Sequence, residues 1–467
     1  MLATPPNETE IHSGIPKIFY DLRGVHSPMG LLYIASYLKK KRKEKDKIEI
    51  YDISGEGDSL KEAIEKIKEF SPDIFGIQMF TMTAPNVLEI LKAIKKTDKK
   101  IKTVVGGPHP TVFPEETLDQ ENVDYIVLGE GEIPFQRLIE SFSRKDFYPK
   151  IEATGFKKDG KYHLSNELNK VDNPDSVPVV DRGLLNLENY QSSFAAGKKI
   201  TSLVTSRGCP YNCIFCAKFE SQFRAHSAEY VVKDIESALK LGIEEIFVVD
   251  DTFSLDLERA KEICRLIIEK KLNFDWYINT RINSVDEELL VLLKKAGCRQ
   301  INYGIESGSQ KIIDALNKNI DLERAKEVIR ATKKAGIQTL CYFMIGLPGE
   351  TMKEIDETRK FIKEAAPDYV RFSVTTLEPS TKLYEMALKK GIVDKDVWTE
   401  FAECPSEKFK VPVWEENFTE EELNQLLSDL SKEHYLKPSF LIKNALRVRS
   451  PKELFSGFLS FLKILKL

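Results

Sequence analysis

The sequence predicts an α/β protein in which a doubly wound N-terminal domain is followed by a partial barrel of six βα units and a helical C-terminal region. Three observations lead to this architecture. The chain has 467 residues, too long for one ordinary domain. Short apolar runs alternate with amphipathic helices from residue 17 to about 142, and a second such series begins near residue 200. We therefore expect an N-terminal domain, a linker, a barrel and a C-terminal domain at residues 1–142, 143–199, 200–391 and 392–467.

The N-terminal domain is predicted to be Rossmann-like, a parallel sheet with helices on both faces. Its first strand, MLAT, is very short. The later strands are expected at KIEIYDI (47–53), DIFGIQMF (73–80), KTVVGG (102–107) and DYIVLGEGE (124–132). Helices are expected at residues 29–43, 59–70, 84–97 and 134–142.

The linker is polar and rich in turn residues. FKKDGKYH (156–163) predicts a small hairpin, and DNPDSVPVVDRG (172–183) predicts an extended connector. After the linker, six apolar runs are each followed by a helical stretch. Six such units are too few for a closed eight-stranded TIM barrel. A partial barrel still places chemistry at the carboxyl ends of its strands. The six strands are expected within residues 200–207, 244–251, 275–282, 300–307, 339–348 and 369–379.

Bulk composition describes an ordinary globular protein, with a net charge of -4, a pI near 6.1 and 42% hydrophobic residues. No global positive field favours nucleic acid. The sequence lacks a signal-peptide pattern and any run of 18 apolar residues, so we expect a cytoplasmic protein. Three of the seven cysteines lie within eight residues, which favours a metal or redox role over a disulfide framework.

The cysteine cluster RGCPYNCIFC follows the first strand of the barrel and contains Cys209, Cys213 and Cys216. Three thiolates leave one iron of an iron-sulfur cluster open, whereas such clusters usually take four. An iron with a free position can bind a substrate or cofactor directly. A structural zinc site would want a fourth Cys or His, and His226 is the nearest histidine. The spacing alone leaves zinc open.

The motif Cys-x3-Cys-x-aromatic-Cys, with Phe215 as its aromatic residue, resembles that of radical S-adenosylmethionine (SAM) enzymes. The resemblance implies a [4Fe-4S] cluster whose open iron is chelated by SAM, and a 5′-deoxyadenosyl radical formed by one-electron cleavage. It also implies an external electron donor such as flavodoxin or ferredoxin. Phe215 would lie against the adenine.

Polar residues and glycines after the later strands agree with this resemblance. Family members carry contacts to SAM or to substrate at these places, and a guanidinium there suits a carboxylate. Each residue alone could equally be a helix cap or a residue that ends a strand without binding a ligand. The candidate cofactor-binding residues are Asp250, Asp251, Thr280, Arg281, Glu306, Ser307 and Gly346. Of the other cysteines, Cys264, Cys298 and Cys341 are expected to be small buried hydrophobes, and Cys404 is a candidate ligand of a second site.

The N-terminal domain resembles the cobalamin-binding domain of a radical SAM subclass that includes the anaerobic magnesium-protoporphyrin cyclase and hopanoid-modifying enzymes. SPMGLLYIASYL, VVGGPHPTVFPEE and YIVLGEGEIPFQRLIE carry the resemblance. Backbone at Gly106, Gly107, Gly129 and Gly131 could approach a corrin at the strand ends. The Asp-x-His-x-x-Gly signature is absent, so His109 is interpreted as a lining residue and not a cobalt ligand. A purely structural domain is the alternative.

The C-terminal segment is basic, with one acid, Glu453, and an apolar last helix. Such a segment suits reversible docking on an anionic membrane. The alternative is that it packs as a tail across the barrel opening. The basic residues are Lys437, Lys443, Arg447, Arg449, Lys452, Lys463 and Lys466.

The leading functional hypothesis is cobalamin-dependent methylation of an unactivated carbon in a small-molecule substrate such as a lipid or tetrapyrrole. A radical cyclase or ring-rearranging reaction without methyl transfer is the second hypothesis. A non-catalytic iron-sulfur or cobalamin sensor is the third.

Overall fold

The computed structural model describes residues 1–6, 11, 26–42, 46–142, 151–191, 198–218 and 220–445. Within these residues the chain forms two compact units. Unit 1 comprises the chain up to Asn189 together with Lys395–Lys410. Unit 2 comprises Tyr190–Asp394 and the chain from Val411 onward.

Unit 1 contains one seven-stranded sheet in the order β2-β1-β3-β4-β5-β6-β7. The first five strands are parallel, and the chain passes from β1 to β2 on one side and then to β3 on the other. This reversal creates a switch point at the carboxyl ends of β1 and β3, where doubly wound sheets bind ligands. The strands are β1 Leu2–Ala3, β2 Ile50–Tyr51, β3 Ile74–Gln78, β4 Lys102–Gly106, β5 Tyr125–Val127, β6 Thr154–Lys158 and β7 Lys161–Leu164.

The helices of unit 1 follow the predicted periodicity. A capping box of Ser59 and Glu62 starts α3, and its buried Ala63 and Ile67 face the core. The predicted Rossmann-like architecture is confirmed. The helices are α1 Met29–Arg42, α2 Ile53–Glu56, α3 Leu60–Phe70, α4 Ala84–Thr97, α5 Pro108–Val112, α6 Pro114–Leu118 and α7 Glu132–Phe142, with 3₁₀ turns at Thr81–Thr83, Pro174–Ser176, Arg182–Leu184 and Leu187–Asn189.

Strands β6 and β7 form a hairpin that extends this sheet. Asp159 and Gly160 both have positive φ, 51° and 74°, as a type I′ turn requires. Strand β6 pairs antiparallel with β5. Residues 151–164, which the sequence analysis assigned to the linker, therefore continue the sheet of unit 1.

A segment from the C-terminal part of the chain also belongs to unit 1. It contains helix α15, Val397–Glu403, whose Trp398 and Phe401 are buried with Phe409 against them. Gln120 Nε2 donates to the carbonyl oxygens that end this helix, at 3.1–3.3 Å. A helix of seven residues is not stable alone, so these aromatic side chains hold it on unit 1. The sequence analysis placed this segment in the helical C-terminal region.

Unit 2 contains six parallel strands in chain order, which confirms the predicted partial barrel. A two-stranded ribbon, β9 Ser206–Arg207 and β10 Arg224–Ala225, follows the first strand. The six strands are β8 Ile200–Leu203, β11 Glu245–Val248, β12 Asp275–Thr280, β13 Cys298–Glu306, β14 Gln338–Ile345 and β15 Tyr369–Val374. The helices are α8 Ala228–Lys240, α9 Leu257–Glu269, α10 Glu287–Lys295, α11 Gln310–Ala315, α12 Leu322–Lys334, α13 Met352–Ala365, α14 Lys382–Lys390, α16 Glu420–Tyr435 and α17 Pro438–Ala445, with a 3₁₀ turn at Ile282–Ser284.

The two faces of the unit 2 sheet differ in burial. Alternate residues such as Ile278 and Phe343 are fully buried and apolar. The opposite face is half-buried and carries aromatic and amide side chains, among them Phe247 and Tyr277, whose rings stack at 4.4 Å. Because the strands are parallel, all six carboxyl ends lie along one edge.

In the described part of the chain, no helix is long and apolar enough to cross a membrane. Most of the basic C-terminal segment, from residue 446 onward, lies outside the described residues.

Candidate active site

The three clustered cysteines lie on a loop between β9 and β10. It begins at Gly208, where φ is +80° and a Cβ atom would lie 2.3 Å from the carbonyl oxygen of Gln222. Only glycine fits this close approach. Beyond it, the Cys209 N–H donates to Glu220 O at 3.2 Å, and the Cys216 N–H donates to Cys213 O at 3.3 Å. The backbone thus folds the cysteine loop into a compact turn.

Neighbouring side chains hold this loop from outside. Lys218 Nζ donates to Cys209 O at 3.2 Å and to Asn212 Oδ1 at 3.0 Å. Asn317 Nδ2 donates to Asn212 O at 2.8 Å, which ties the loop to the turn after α11. The cysteines therefore occupy a fixed loop with few ways to shift.

The three thiols are close enough to affect one another. Desolvation by the surrounding protein, together with the charges of Asp251, Cys213 and Cys209, raises the pKa of the Cys216 thiol to about 11. Three thiolates here would repel one another unless a cationic group compensated them, and a cluster of four irons does so. Among the described residues no three His, Cys, Asp or Glu side chains are close enough to share a single ion. Three thiol donors on one loop match the three irons that such a cluster leaves for protein ligands when the fourth is open, so the donor set fits a cluster.

Arg281 follows β12 and contacts this loop. Its guanidinium lies 3.7 Å above the ring of Tyr211, and Nη1 lies 3.5 Å from Cys213 Sγ. Nη2 donates to the carbonyl oxygen of Lys318. The residue was predicted to bind a carboxylate; the structure directs two of its nitrogens to the cysteine loop and its neighbours.

Glu306 ends β13 in a strained conformation. Its φ is +72°, which is uncommon for a non-glycine residue, and the pairing with β14 shifts register beside it. Its Oε1 lies 2.6 Å from Lys318 Nζ, and both side chains are buried. Lys318 Nζ also lies 5.6 Å from the centre of the Phe215 ring. The ion pair thus connects a strand end to the cysteine loop.

Replacing Lys318 with methionine is expected to destabilise unit 2 by about 3–5 kcal/mol, because it leaves the buried Glu306 carboxylate without its cation. Lys270→Met is the matched control: Lys270 pairs with Glu236 at 2.8 Å, but the two side chains are 45% and 31% exposed, so about 0–1 kcal/mol is expected. Chemical denaturation of the two variants measures the difference. Equal losses would show that the buried pair contributes no more than a surface pair.

Phe215 packs beside the end of β14. Together with Ile214 and Met344 it contacts a buried cluster of Ile312, Leu316 and Leu347. Leu347 directly follows Gly346, one of the candidate cofactor-binding residues. Stacking of Phe215 on adenine stays a prediction.

The loop after β14 is held by the buried carboxylate of Glu350. Its Oε2 accepts from the Gly346 N–H at 2.8 Å and the Leu347 N–H at 3.2 Å. Its Oε1 is buried and has no partner among the described residues. Burial raises the pKa of this carboxyl group to about 7.

Glu350→Gln is expected to raise the melting temperature relative to wild type more at pH 8 than at pH 5. The folded-state pKa lies above the unfolded value of about 4.5, so the wild type loses stability as pH rises between these values, in total about 3 kcal/mol. Glutamine keeps the acceptor for both backbone donors and cannot ionise.

Glu416→Gln is the control, because Glu416 accepts from the Gly349 N–H in the same loop but has a lowered pKa. Its effect should be the same at both pH values. A pH-independent difference for Glu350→Gln as well would refute the buried ionisation.

Three predicted cofactor-binding residues have side chains engaged within the protein. Asp250 is fully buried and accepts from Thr205 N at 2.6 Å, Thr205 Oγ1 at 2.5 Å and Ser206 Oγ at 2.6 Å. Thr280 Oγ1 lies 2.5 Å from Ser254 Oγ. Ser307 Oγ accepts from the Ser309 N–H at 3.2 Å. In the structure these side chains stabilise strand ends, and a cofactor contact for them stays a prediction.

Asp251 differs from Asp250, since its side chain is exposed beside the cysteine loop. Partial desolvation and the neighbouring Asp250 raise the pKa of its carboxyl group, while Lys218 lowers it. Of the two aspartates, Asp251 is therefore the one available to a ligand.

The predicted glycines of unit 1 lie at the carboxyl ends of β4 and β5. Gly106 meets only ordinary contacts. A Cβ atom at Gly107, Gly129 or Gly131 would lie 2.7–2.9 Å from neighbouring protein atoms, those of Met79, Asn169 and Ile34. Gly107 and Gly129 are therefore required by the fold itself, because they have positive φ and the close atoms are backbone, whereas at Gly131 the close atom is the movable end of the Ile34 side chain. Contact of these glycines with a corrin stays a prediction.

His109 lies in α5 of unit 1 and is almost completely buried. Its Nδ1 is 3.3 Å from Thr81 Oγ1, and burial lowers the pKa of the imidazole to about 4. The DLRGVHSPMG segment lies only partly within the described residues.

The remaining cysteines and the nearest histidine lie outside the loop between β9 and β10. Cys264, Cys298 and Cys341 are fully buried, which confirms the prediction, and Cys404 is exposed. His226 is buried with its ring stacked on Tyr230 at 4.0 Å. Sequence reasoning missed Tyr211, Lys218, Lys318 and Glu350.

Comparison with known proteins agrees with this geometry. Residues 203–362 match the family model of the Radical SAM superfamily, and residues 18–139 match that of the B12 binding domain. The chain is 31% identical over 450 residues to an uncharacterized methyltransferase of Pyrococcus horikoshii, covering 95% of this chain and 94% of that relative. The chain belongs to the radical SAM superfamily. More closely, it belongs to the members that carry a B12-binding domain in front of the radical SAM domain.

A further relative and a solved structure agree with this family membership. The chain is 26% identical over 452 residues to cytidylyl-2-hydroxyethylphosphonate methyltransferase of Streptomyces wedmorensis, covering 85% of this chain and 83% of the relative. Its fold matches that of OxsB, a cobalamin-dependent SAM radical enzyme, with a TM-score of 0.75 and 17% identity over 99% of this chain and 71% of the other. The predicted [4Fe-4S] cluster, SAM and cobalamin are the cofactors of this family.

Proposed function

We propose that this radical SAM enzyme methylates an unactivated carbon of a small-molecule substrate. The observation that carries the proposal is the rigid loop of Cys209, Cys213 and Cys216 in a chain that also has a B12-binding domain. When bound, the cluster with SAM supplies a 5′-deoxyadenosyl radical, and cobalamin supplies the methyl group.

The residues at the strand edge of unit 2 support binding of SAM. Phe215, packed on the buried Leu347, presents apolar surface suited to adenine, and the buried Glu350 fixes the backbone at Gly346 and Leu347. The carboxylate of Glu306, held by Lys318, is placed to orient a hydroxyl or ammonium group. The exposed carboxylate of Asp251 is a second such group. These residues bind and orient; none is assigned a proton transfer.

The half-buried face of the unit 2 sheet supports a mixed substrate surface. Gln300 Nε2 donates to Asn302 Oδ1 at 2.8 Å, and Asn302 Nδ2 donates to Asn279 Oδ1 at 2.9 Å. Beside this amide chain lie the stacked rings of Phe247 and Tyr277. Such a surface suits a substrate with an apolar body and hydrogen-bonding groups. A lipid or tetrapyrrole substrate, and peripheral membrane contact, are finer proposals that rest on the basic C-terminal sequence.

A radical ring-forming reaction without methyl transfer is the second candidate. The enzyme is 28% identical over 377 residues to the anaerobic magnesium-protoporphyrin IX monomethyl ester cyclase of Rubrivivax gelatinosus, covering 78% of this chain and 67% of the relative.

Anaerobic purification with cobalamin supplied, followed by metal analysis and assay with methyl-labelled SAM, tests the proposal. We expect about four irons and one cobalt per chain, with both 5′-deoxyadenosine and S-adenosylhomocysteine formed. About four irons without bound corrin would reject the methylase. Formation of 5′-deoxyadenosine without S-adenosylhomocysteine would favour the cyclase, and failure of the reduced protein to release 5′-deoxyadenosine would favour a sensor.

A further inference from the structure

We propose that Arg281 sets the reduction potential of the cluster through a hydrogen bond to the thiolate of Cys213. The inference rests on the cluster assignment in the proposed function and goes beyond it, because it gives Arg281 a role that does not require SAM. It also differs from the carboxylate contact predicted for this residue.

Three contacts fix the guanidinium. Its plane lies 3.7 Å from the centre of the Tyr211 ring, Nη1 lies 3.5 Å from Cys213 Sγ, and Nη2 donates to Lys318 O. The fixed, planar fork of arginine permits stacking and donation at the same time, which a lysine ammonium cannot match. Arg281 therefore presents an N–H to one cluster ligand in a defined direction.

The charge of Arg281 has no anionic partner among the described residues. The side chain is 6% exposed, yet it makes no ion pair within that part of the chain, and its Nε has no hydrogen-bond partner there. Burying a guanidinium is costly without an opposite charge. A cluster with three thiolates carries the negative charge that is missing.

The other charged groups around the loop are already engaged. Lys318 pairs with Glu306, and Lys218 donates to carbonyl oxygens of the loop. Asp251 lies near Cys216 and opposes reduction by its negative charge. Arg281 is thus the cation in direct contact with a ligand sulfur.

Reduction adds one electron from the donor to the cluster, with no bond broken and no proton moved at Arg281. The added negative charge on the cluster strengthens its attraction to a nearby cation, and it strengthens a hydrogen bond that an N–H donates to the thiolate. Hydrogen bonds to sulfur and local charge are the quantities that set cluster potentials. Arg281 should therefore stabilise the reduced state more than the oxidised state and raise the potential.

The test is a redox titration of the reconstituted full chain, followed by electron paramagnetic resonance in the absence of SAM. Arg281→Gln removes the charge, and its side chain is too short to keep the contact. We expect the equilibrium constant for cluster reduction to fall at least tenfold, which corresponds to a reduction potential 59 mV lower for one electron. Arg324→Gln is the control, because Arg324 is exposed and pairs with Glu327, so the potential should not change.

Arg281→Lys keeps the charge but loses the planar fork. We expect its potential to fall in the same direction by a smaller amount, and this variant decides the question if Arg281→Gln does not assemble a cluster. A wild-type potential in either variant with the cluster intact would overturn the inference. So would a loss of SAM affinity alone with the potential unchanged, which would return Arg281 to carboxylate binding. Absence of any cluster in the wild type would instead reject the proposed function.

Discussion

Replacing Cys213 with alanine is expected to abolish 5′-deoxyadenosine formation and to remove most of the cluster iron. A [4Fe-4S] cluster held by three thiolates has no spare protein ligand, and the described part of unit 2 offers no further exposed cysteine to replace Cys213. Loss of the hydrogen bond from Arg281 would follow as well. Iron analysis, the visible absorption spectrum and product chromatography measure the effect.

The same variant should keep cobalamin binding, since the B12-binding domain matches residues 18–139 and none of the three cysteines lies there. Cys404→Ala is the matched control: Cys404 is exposed and belongs to unit 1, so iron content and 5′-deoxyadenosine formation should be unchanged. Cleavage of SAM by the Cys213→Ala protein would refute the cluster assignment.

Replacing Gly208 with alanine is expected to cause an almost equal loss of cluster while all three cysteines remain. The new Cβ atom would lie 2.3 Å from Gln222 O and 3.0 Å from Gln222 C, both backbone atoms of the segment that leads into β10. Backbone cannot rotate out of the way as a side chain can, so the loop must move. The readout is iron content after reconstitution, compared with wild type.

Gly242→Ala separates this clash from backbone strain. Gly242 also has a φ of +80°, but a Cβ atom there would meet nothing within 4 Å. The cost should be only that of a positive φ for alanine, about 1–2 kcal/mol, with full cluster content. If both variants kept their cluster, the loop would be less constrained than its contacts indicate.

Regular elements with strong periodicity could be predicted closely from the sequence. The predicted helix 84–97 is helix α4 with the same ends, because Pro85 starts it and its apolar residues recur at helical spacing. The strand predicted at 47–53 pairs only at Ile50–Tyr51, because β2 lies at the sheet edge and is aligned by β1 alone. Position in a sheet is a tertiary property that local pattern does not contain.

The cysteine loop could be recognised in the sequence because its spacing is local, whereas the side chains that support it could not. Lys318 lies 12 residues from Glu306 and more than 100 from Phe215, and its surroundings in the sequence look like an ordinary turn. The sequence likewise does not show that Asp250, a candidate because it follows a strand, accepts hydrogen bonds from Thr205 and Ser206 at the end of the neighbouring strand. Such contacts between strand ends exist only in the folded chain.

The return of Lys395–Lys410 to unit 1 has a consequence for synthesis on the ribosome. Each strand of unit 2 pairs with the strand before it, so that sheet can grow one βα unit at a time as the chain emerges. Unit 1 cannot bury Trp398 and Phe401 until about 400 residues have been translated. The domain encoded first is thus completed only after Tyr190–Asp394 of unit 2 has been translated.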